Sequence, residues 1–146
     1  MKIVTKPWGN EKWIADGSET PYAVKHITFL AKNRTSLQVH QYKSETNYVL
    51  KGTGILLKSI EPFQIDEFLK TGMPASEIVN YENRRMVKID LYPGITVNIA
   101  AGYVHRVIAK TDLEFIEVST PELDDVIRLQ DDSGRTHGKI LSEHQE

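Results

Sequence analysis

The chain contains no cysteine, which excludes disulfides and thiolate-bound metal. It has no apolar run long enough to span a bilayer, and Met1 to Pro7 lacks an apolar signal core, so a cytoplasmic protein without membrane contact is expected. Charge of one sign is missing too. A net charge of −2, with lysines and arginines scattered among acids, gives no footprint for nucleic acid or an anionic surface. Internal repeats and low-complexity segments are absent, as is a glycine-rich nucleotide loop. What remains is 146 residues, 40% hydrophobic and 26% charged: one globular domain with its own core.

Short β-type runs fill most of that length. Residues 11–15, 22–30, 35–41, 46–51, 55–60, 86–91, 95–100, 104–110 and 113–119 are β-branched or aromatic and end in turn chemistry such as Gly52-Thr53-Gly54 and Pro93-Gly94. Many short strands at this spacing indicate an all-β sandwich or barrel. The interruption at 61–85 is helical in pattern. Phe63, Ile65, Phe68 and Leu69 share a face, Gly72-Met73-Pro74 stops it, and a second turn of helix follows at 75–79. This insertion is expected to cross an end of the barrel. The acidic stretch 122–132 reads as a loop and solvated edge, and the polar tail from Ser133 as fraying.

Two segments carry the chemistry. Residues alternate across a strand, so Gln38 and His40 share one face and Leu37 and Val39 the other. Likewise His105, Val107 and Ala109 oppose Val104, Arg106 and Ile108. If the polar faces line a barrel, Gln38, His40 and His105 converge, and Glu45 folds back across the intervening turn to join them. Two imidazoles, a carboxylate and an amide oxygen make a donor set for one divalent ion, with Zn, Fe, Mn, Ni and Co all suited. Lys43 and Tyr48, near the motif, are the candidates for proton transfer. Arg128 is the candidate substrate contact at the barrel mouth, whereas alternation turns Arg106 away. Trp8 and Trp13 read as core or interface aromatics, His26 as a satisfied structural histidine, and His137 and His144 as solvated.

The segment His40, Glu45, Gly52 resembles the first motif of the cupins, and Gly94, Ala100-Ala101-Gly102, His105 resembles their second. Tyr42 stands where many cupins carry another histidine, and Ala100 where they carry proline. The Gln38-x-His40 pair, Lys6-Pro7-Trp8-Gly9, Ser36-Leu37-Gln38 and the run 118–128 are similar to type II mannose-6-phosphate isomerase cupins, including the carboxy-terminal domain of bifunctional mannose-1-phosphate guanylyltransferases. The resemblance spans most of the chain outside 61–85. It implies a jelly-roll barrel, a bound metal and a sugar-phosphate or nucleotide-sugar ligand, but no nucleotidyltransferase activity, for which there is no domain.

Three functions follow as expectations. The leading one is metal-dependent aldose–ketose isomerisation of a sugar phosphate. The second is an iron-dependent oxygenase, since His40, Glu45 and His105 alone form a two-histidine, one-carboxylate set. The third is a sugar-binding module without catalysis. A twofold homodimer is expected through the amino-terminal strand bearing Trp8 and Trp13.

Overall fold

The computed structural model describes residues 1–130 and 138–140; His137, His144, Asp131 and Asp132 lie outside them. Twelve strands and two helices run in the order β1 (Lys2–Lys6), β2 (Gly9–Asp16), β3 (Ala23–Phe29), β4 (Leu37–Val39), β5 (Glu45–Lys51), β6 (Gly54–Ser59), α1 (Ile65–Thr71), α2 (Ala75–Arg84), β7 (Met86–Leu91), β8 (Thr96–Ile99), β9 (His105–Ala109), β10 (Leu113–Ser119), β11 (Val126–Gln130) and β12 (Gly138–Ile140). They form two antiparallel six-stranded sheets, β1-β2-β3-β10-β5-β8 and β12-β11-β4-β9-β6-β7.

The strict alternation of strands such as β3 (Ala23, Lys25, Ile27 and Phe29 buried) gives the first sheet one inward face. Between the sheets lies a core containing Trp8, Phe29, Val49, Leu56, Ile99, Val107 and Phe115. Trp8 stacks on Phe29 with ring centroids 4.4 Å apart. The turn between β5 and β6 depends on glycine. Gly52 has φ +86°, and a Cβ there would lie 1.9 Å from the carbonyl oxygen of Asp112.

At β4, β9 and β11 the second sheet is buried on both faces, and this is where expectation and structure part. The helices cover the outer face of that sheet instead of an end of the barrel. Ile78 of α2 packs with Leu37, Val39, Val104, Ile127 and Leu129, and Phe63, Phe68 and Tyr81 close over the same cluster. A sheet whose outer face carries Leu37, Val39 and Ile127 needs a cover, and α2, continuing to Arg84 beyond the turn expected at 75–79, supplies it. Arg106, on this outer face and fully buried, donates to the Thr35 carbonyl (3.0 Å) and to Glu82 of α2 (2.8 Å).

The stretch 122–132 contains a buried strand, not only a loop. Ile127 and Leu129 face the helices, while Arg128 pairs across from Gln38. Gly138–Ile140 then pairs with β11, so the expected fraying does not hold for these three residues. Lys2–Lys6 adds an edge strand, β1, to the first sheet.

Candidate metal centre

The two sheets bring one end of β4 against β9 and β5. Gln38 lies directly opposite His105, and His40 follows β4 by one residue. Two devices hold the turn from His40 to Glu45. The Asp125 carboxylate accepts the backbone N–H groups of Gln41 (3.1 Å), Tyr42 (2.6 Å) and Lys43 (2.9 Å). On the far side, Gly102, with φ +91°, donates its N–H to the His40 carbonyl at 2.7 Å. Ser44 accepts from the Ala101 N–H at 3.0 Å, locking the two motif segments together.

Both imidazoles are oriented through Nδ1. His40 Nδ1 lies 2.6 Å from the Asp125 carbonyl and His105 Nδ1 3.2 Å from the Tyr103 carbonyl. A carbonyl only accepts, so in each neutral ring Nδ1 carries the proton and Nε2 presents a lone pair. These Nε2 atoms lie 3.3 Å (His40) and 3.7 Å (His105) from Glu45 Oε1. The donor atoms of His40, Glu45 and His105 all fall within 4.8 Å of one another. Backbone carbonyls behind each ring, with Nε2 facing a shared carboxylate, are the arrangement that fits a divalent ion.

Gln38 joins them through its amide, whose nitrogen is 3.5 Å from His105 Nε2 while Oε1 accepts from the Ser36 hydroxyl at 2.9 Å. Turning the amide over presents Oε1 as the donor atom. The Ser36 hydroxyl serves either orientation, since it donates and accepts.

The electrostatics are those of a closed site. Burial, opposed in part by the Glu45 carboxylate, pushes His105 down to about 4, leaving it neutral at pH 7. Burial raises Glu45, but Lys43 and the histidine contacts more than offset it and hold the carboxyl well below the usual range. Lys43, 5% exposed, forms a 2.8 Å ion pair with Glu117. Burial lowers Lys43, yet Glu117 and Glu45 outweigh it, so the ammonium titrates above its ordinary value. Burial and then Glu45 raise Glu117.

Lys25, Glu11, Asn47 and Glu117 line the same cavity and were not singled out from sequence. Their signal was legible: Lys25 and Glu117 each interrupt the apolar face of a strand, β3 and β10, and sit opposite each other across the pair. Lys25 reaches Glu11 at 3.1 Å. Asp125, which shapes the ligand turn, was read only as part of an acidic run.

Two expectations are corrected. Tyr48 points out of the barrel, 47% exposed, because it has the opposite parity to Asn47 and Val49. Arg128 is 4% exposed, buried opposite Gln38 on β4 and not at an open mouth. Trp8 belongs to the core, and His26 pairs with Glu114 at 2.9 Å on the outer surface. The cavity measures about 60 Å³, room for an ion and a few waters. A larger groove of about 490 Å³, lined by Phe63, Phe68 and Tyr81, lies in the helical insertion and shares no residue with it.

Two packed antiparallel sheets with a His40–Glu45–His105 cluster between them define a cupin. Within that class the chain belongs to the mannose-6-phosphate isomerase C-terminal family, whose model matches residues 1–99. It is 29% identical over 136 residues to the alginate biosynthesis protein AlgA of Pseudomonas aeruginosa, covering 91% of this chain and 23% of that protein. To a mannose-1-phosphate guanylyltransferase of Salmonella muenchen it is 31% identical over 88 residues, covering 60% of this chain and 18% of that one. The chain thus spans about a fifth of the length of these curated relatives.

Among solved structures, the capsular polysaccharide assembling protein CapF from Staphylococcus aureus superposes with a TM-score of 0.64 at 15% identity, over 88% of this chain and 31% of that one. A cupin superfamily protein from Desulfitobacterium hafniense gives 0.50 at 12% identity, over 75% and 74%. At these identities the likeness shows the fold alone. No helix among the described residues is long and apolar enough to cross a membrane.

Proposed function

We propose that this cupin is a metal-dependent aldose–ketose isomerase acting on a sugar phosphate of the mannose-6-phosphate type. The observation that carries the reading is the buried Lys43–Glu117 pair, 2.8 Å apart, lining the same cavity as the His40, Glu45 and His105 donor atoms. Gln38, His40, Glu45 and His105 would hold the ion. When bound there, a divalent ion polarises substrate oxygens and stabilises the negative charge that develops as a proton leaves the adjacent carbon.

The remaining work falls to the chain's own side chains. Isomerisation needs a base that takes the proton from C2 and returns it to C1, while the hydroxyl proton on O2 passes to O1. Lys43 stays protonated through the neutral range, its affinity for the proton raised by Glu117 and Glu45, so it does not fill that role. It serves as a fixed positive charge. Glu117, whose carboxyl is raised by burial and by Glu45, is the better carrier: as carboxylate it accepts the C2 proton and as acid it delivers it to C1.

The test is proton exchange at C2 of hexose and pentose phosphates in deuterated water, with the metal-saturated protein. Exchange that is abolished in Glu117→Gln supports the assignment; no exchange across the panel ends it. The His40–Glu45–His105 set, taken without Gln38, supports a second reading, an iron-dependent oxygenase. Oxygen consumption by the iron-loaded protein distinguishes the two.

A further inference from the structure

Asn47 occupies an unusual position in this cavity. It lies on β5, two residues after Glu45, opposite Glu117 on one side and Val97 on the other, and is 2% exposed. Its Nδ2 donates to Glu45 Oε2 at 3.1 Å, while Glu45 Oε1 faces both histidine Nε2 atoms. That contact fixes the amide, because an ionised carboxylate only accepts and must see the NH2 end. The carbonyl end is therefore turned the other way. Asn47 Oδ1 is buried without a hydrogen-bond partner among the described residues, and Asn47 lines the cavity. A buried acceptor of this kind calls for a donor. The neighbouring ammonium, Lys43, is directed to Glu117 and does not supply it.

We infer that Asn47 Oδ1 is the acceptor for a hydroxyl of the ligand, so that the metal centre selects a polyol. The ligand must present an O–H donor next to the oxygens that face His40 and His105. A hydrocarbon or a fully ionised dicarboxylate leaves Oδ1 unsatisfied; a carbohydrate chain with adjacent hydroxyls does not. This inference rests on the sugar-isomerase reading for the identity of the polyol, but its physical basis is the orphan acceptor alone. Asn47 is thereby a specificity residue that touches ligand with one end and positions Glu45 with the other.

The experiment measures binding, not turnover, by calorimetry on the manganese-saturated protein. The probes are mannitol 6-phosphate, its monodeoxy analogues and uncharged threitol. Asn47→Val removes the acceptor together with the amide donor to Glu45, whose loss is read separately as a change in manganese affinity, and Asn47→Thr restores a hydroxyl. Manganese affinity and thermal unfolding are followed for both variants. Asn47→Val should bind mannitol 6-phosphate about tenfold or more weakly, and Asn47→Thr should recover part of the loss. One monodeoxy analogue should bind wild type and Asn47→Val alike, identifying the hydroxyl concerned.

If Asn47→Val binds every probe as the wild type does, the acceptor serves a water only and the inference falls, with the isomerase reading intact. If threitol shows the Asn47 dependence while mannitol 6-phosphate does not bind, the phosphosugar reading falls and the inference stands. Failure of all polyols to bind the metal-saturated wild type overturns it outright. Should Asn47→Val fail to fold, the deoxy series on wild type and Asn47→Thr decides: no single hydroxyl whose loss costs wild-type affinity refutes the inference.

Discussion

Replacing Lys43 by Met is the sharpest single perturbation of the buried charge network. In the native site Lys43 Nζ lies 2.8 Å from Glu117 Oε1, with both side chains about one-twentieth exposed, and burial and then the Glu45 carboxyl beside it raise Glu117. Deleting the ammonium leaves two carboxylates facing each other out of water. Removing one partner of a buried pair costs about 3–5 kcal/mol. For a domain of this size that corresponds to a fall in melting temperature of roughly 6–20 °C.

The cost should depend on pH, and its sign follows from the groups involved. Glu117 already titrates above its unfolded value, and losing Lys43 raises it further. A carboxyl raised by folding weakens the fold above its folded pKa and ceases to do so as pH falls below its unfolded one. Lys43, raised by folding, supplies stability throughout the range below the unfolded lysine pKa, so the wild-type reference does not lose that contribution between pH 5 and 8. The deficit of Lys43→Met is therefore largest near pH 8 and shrinks towards pH 5 as Glu117 takes up a proton. Urea denaturation of the chelator-treated proteins at the two pH values measures it. A deficit below about 1 kcal/mol at pH 8, or one that grows on acidification, refutes the account of the pair.

His105→Ala removes one of two imidazole donors, so metal retained after dialysis, read by elemental analysis, should fall sharply, and the rise in melting temperature on adding metal should vanish. Glu82→Ala uncovers the fully buried Arg106 beneath α2; it should cost about 1–3 kcal/mol in denaturant unfolding while leaving metal content unchanged. The edge strand β1 exposes Ile3 at 60%, and β2 beside it exposes Ile14 at 54%. Light scattering should then return about twice 16.6 kDa, and Ile3→Lys should lower it; a wild-type mass of one chain at micromolar concentration counts against the dimer.

Several features were legible in the residues alone, for reasons that are local. Alternation is a property of a strand by itself, so the separation of Gln38, His105, Val107 and Ala109 from Leu37, Val39 and Val104 could be read without any partner. Turn residues such as Gly52 and Pro93-Gly94 likewise mark where strands end, because the constraint is in the backbone. The resemblance to cupins rested on the same segments.

What sequence could not supply is the identity of the neighbour across a sheet. Lys25, Glu117 and Asn47 are separated by 92 residues at most, 117 less 25, and only the pairing of β3, β10 and β5 sets them in one row. The acids of 122–132 hid a buried strand, since Val126 and Arg128 meet one layer and Ile127 and Leu129 another, and no single-face pattern survives. The cover over Leu37 and Val39 was equally beyond reach, because an amphipathic helix declares that it needs a face but not which one. Asp125 shows the limit most directly: its carboxylate and carbonyl shape the His40 turn from 85 residues away, through contacts that exist only once β11 lies beside β4.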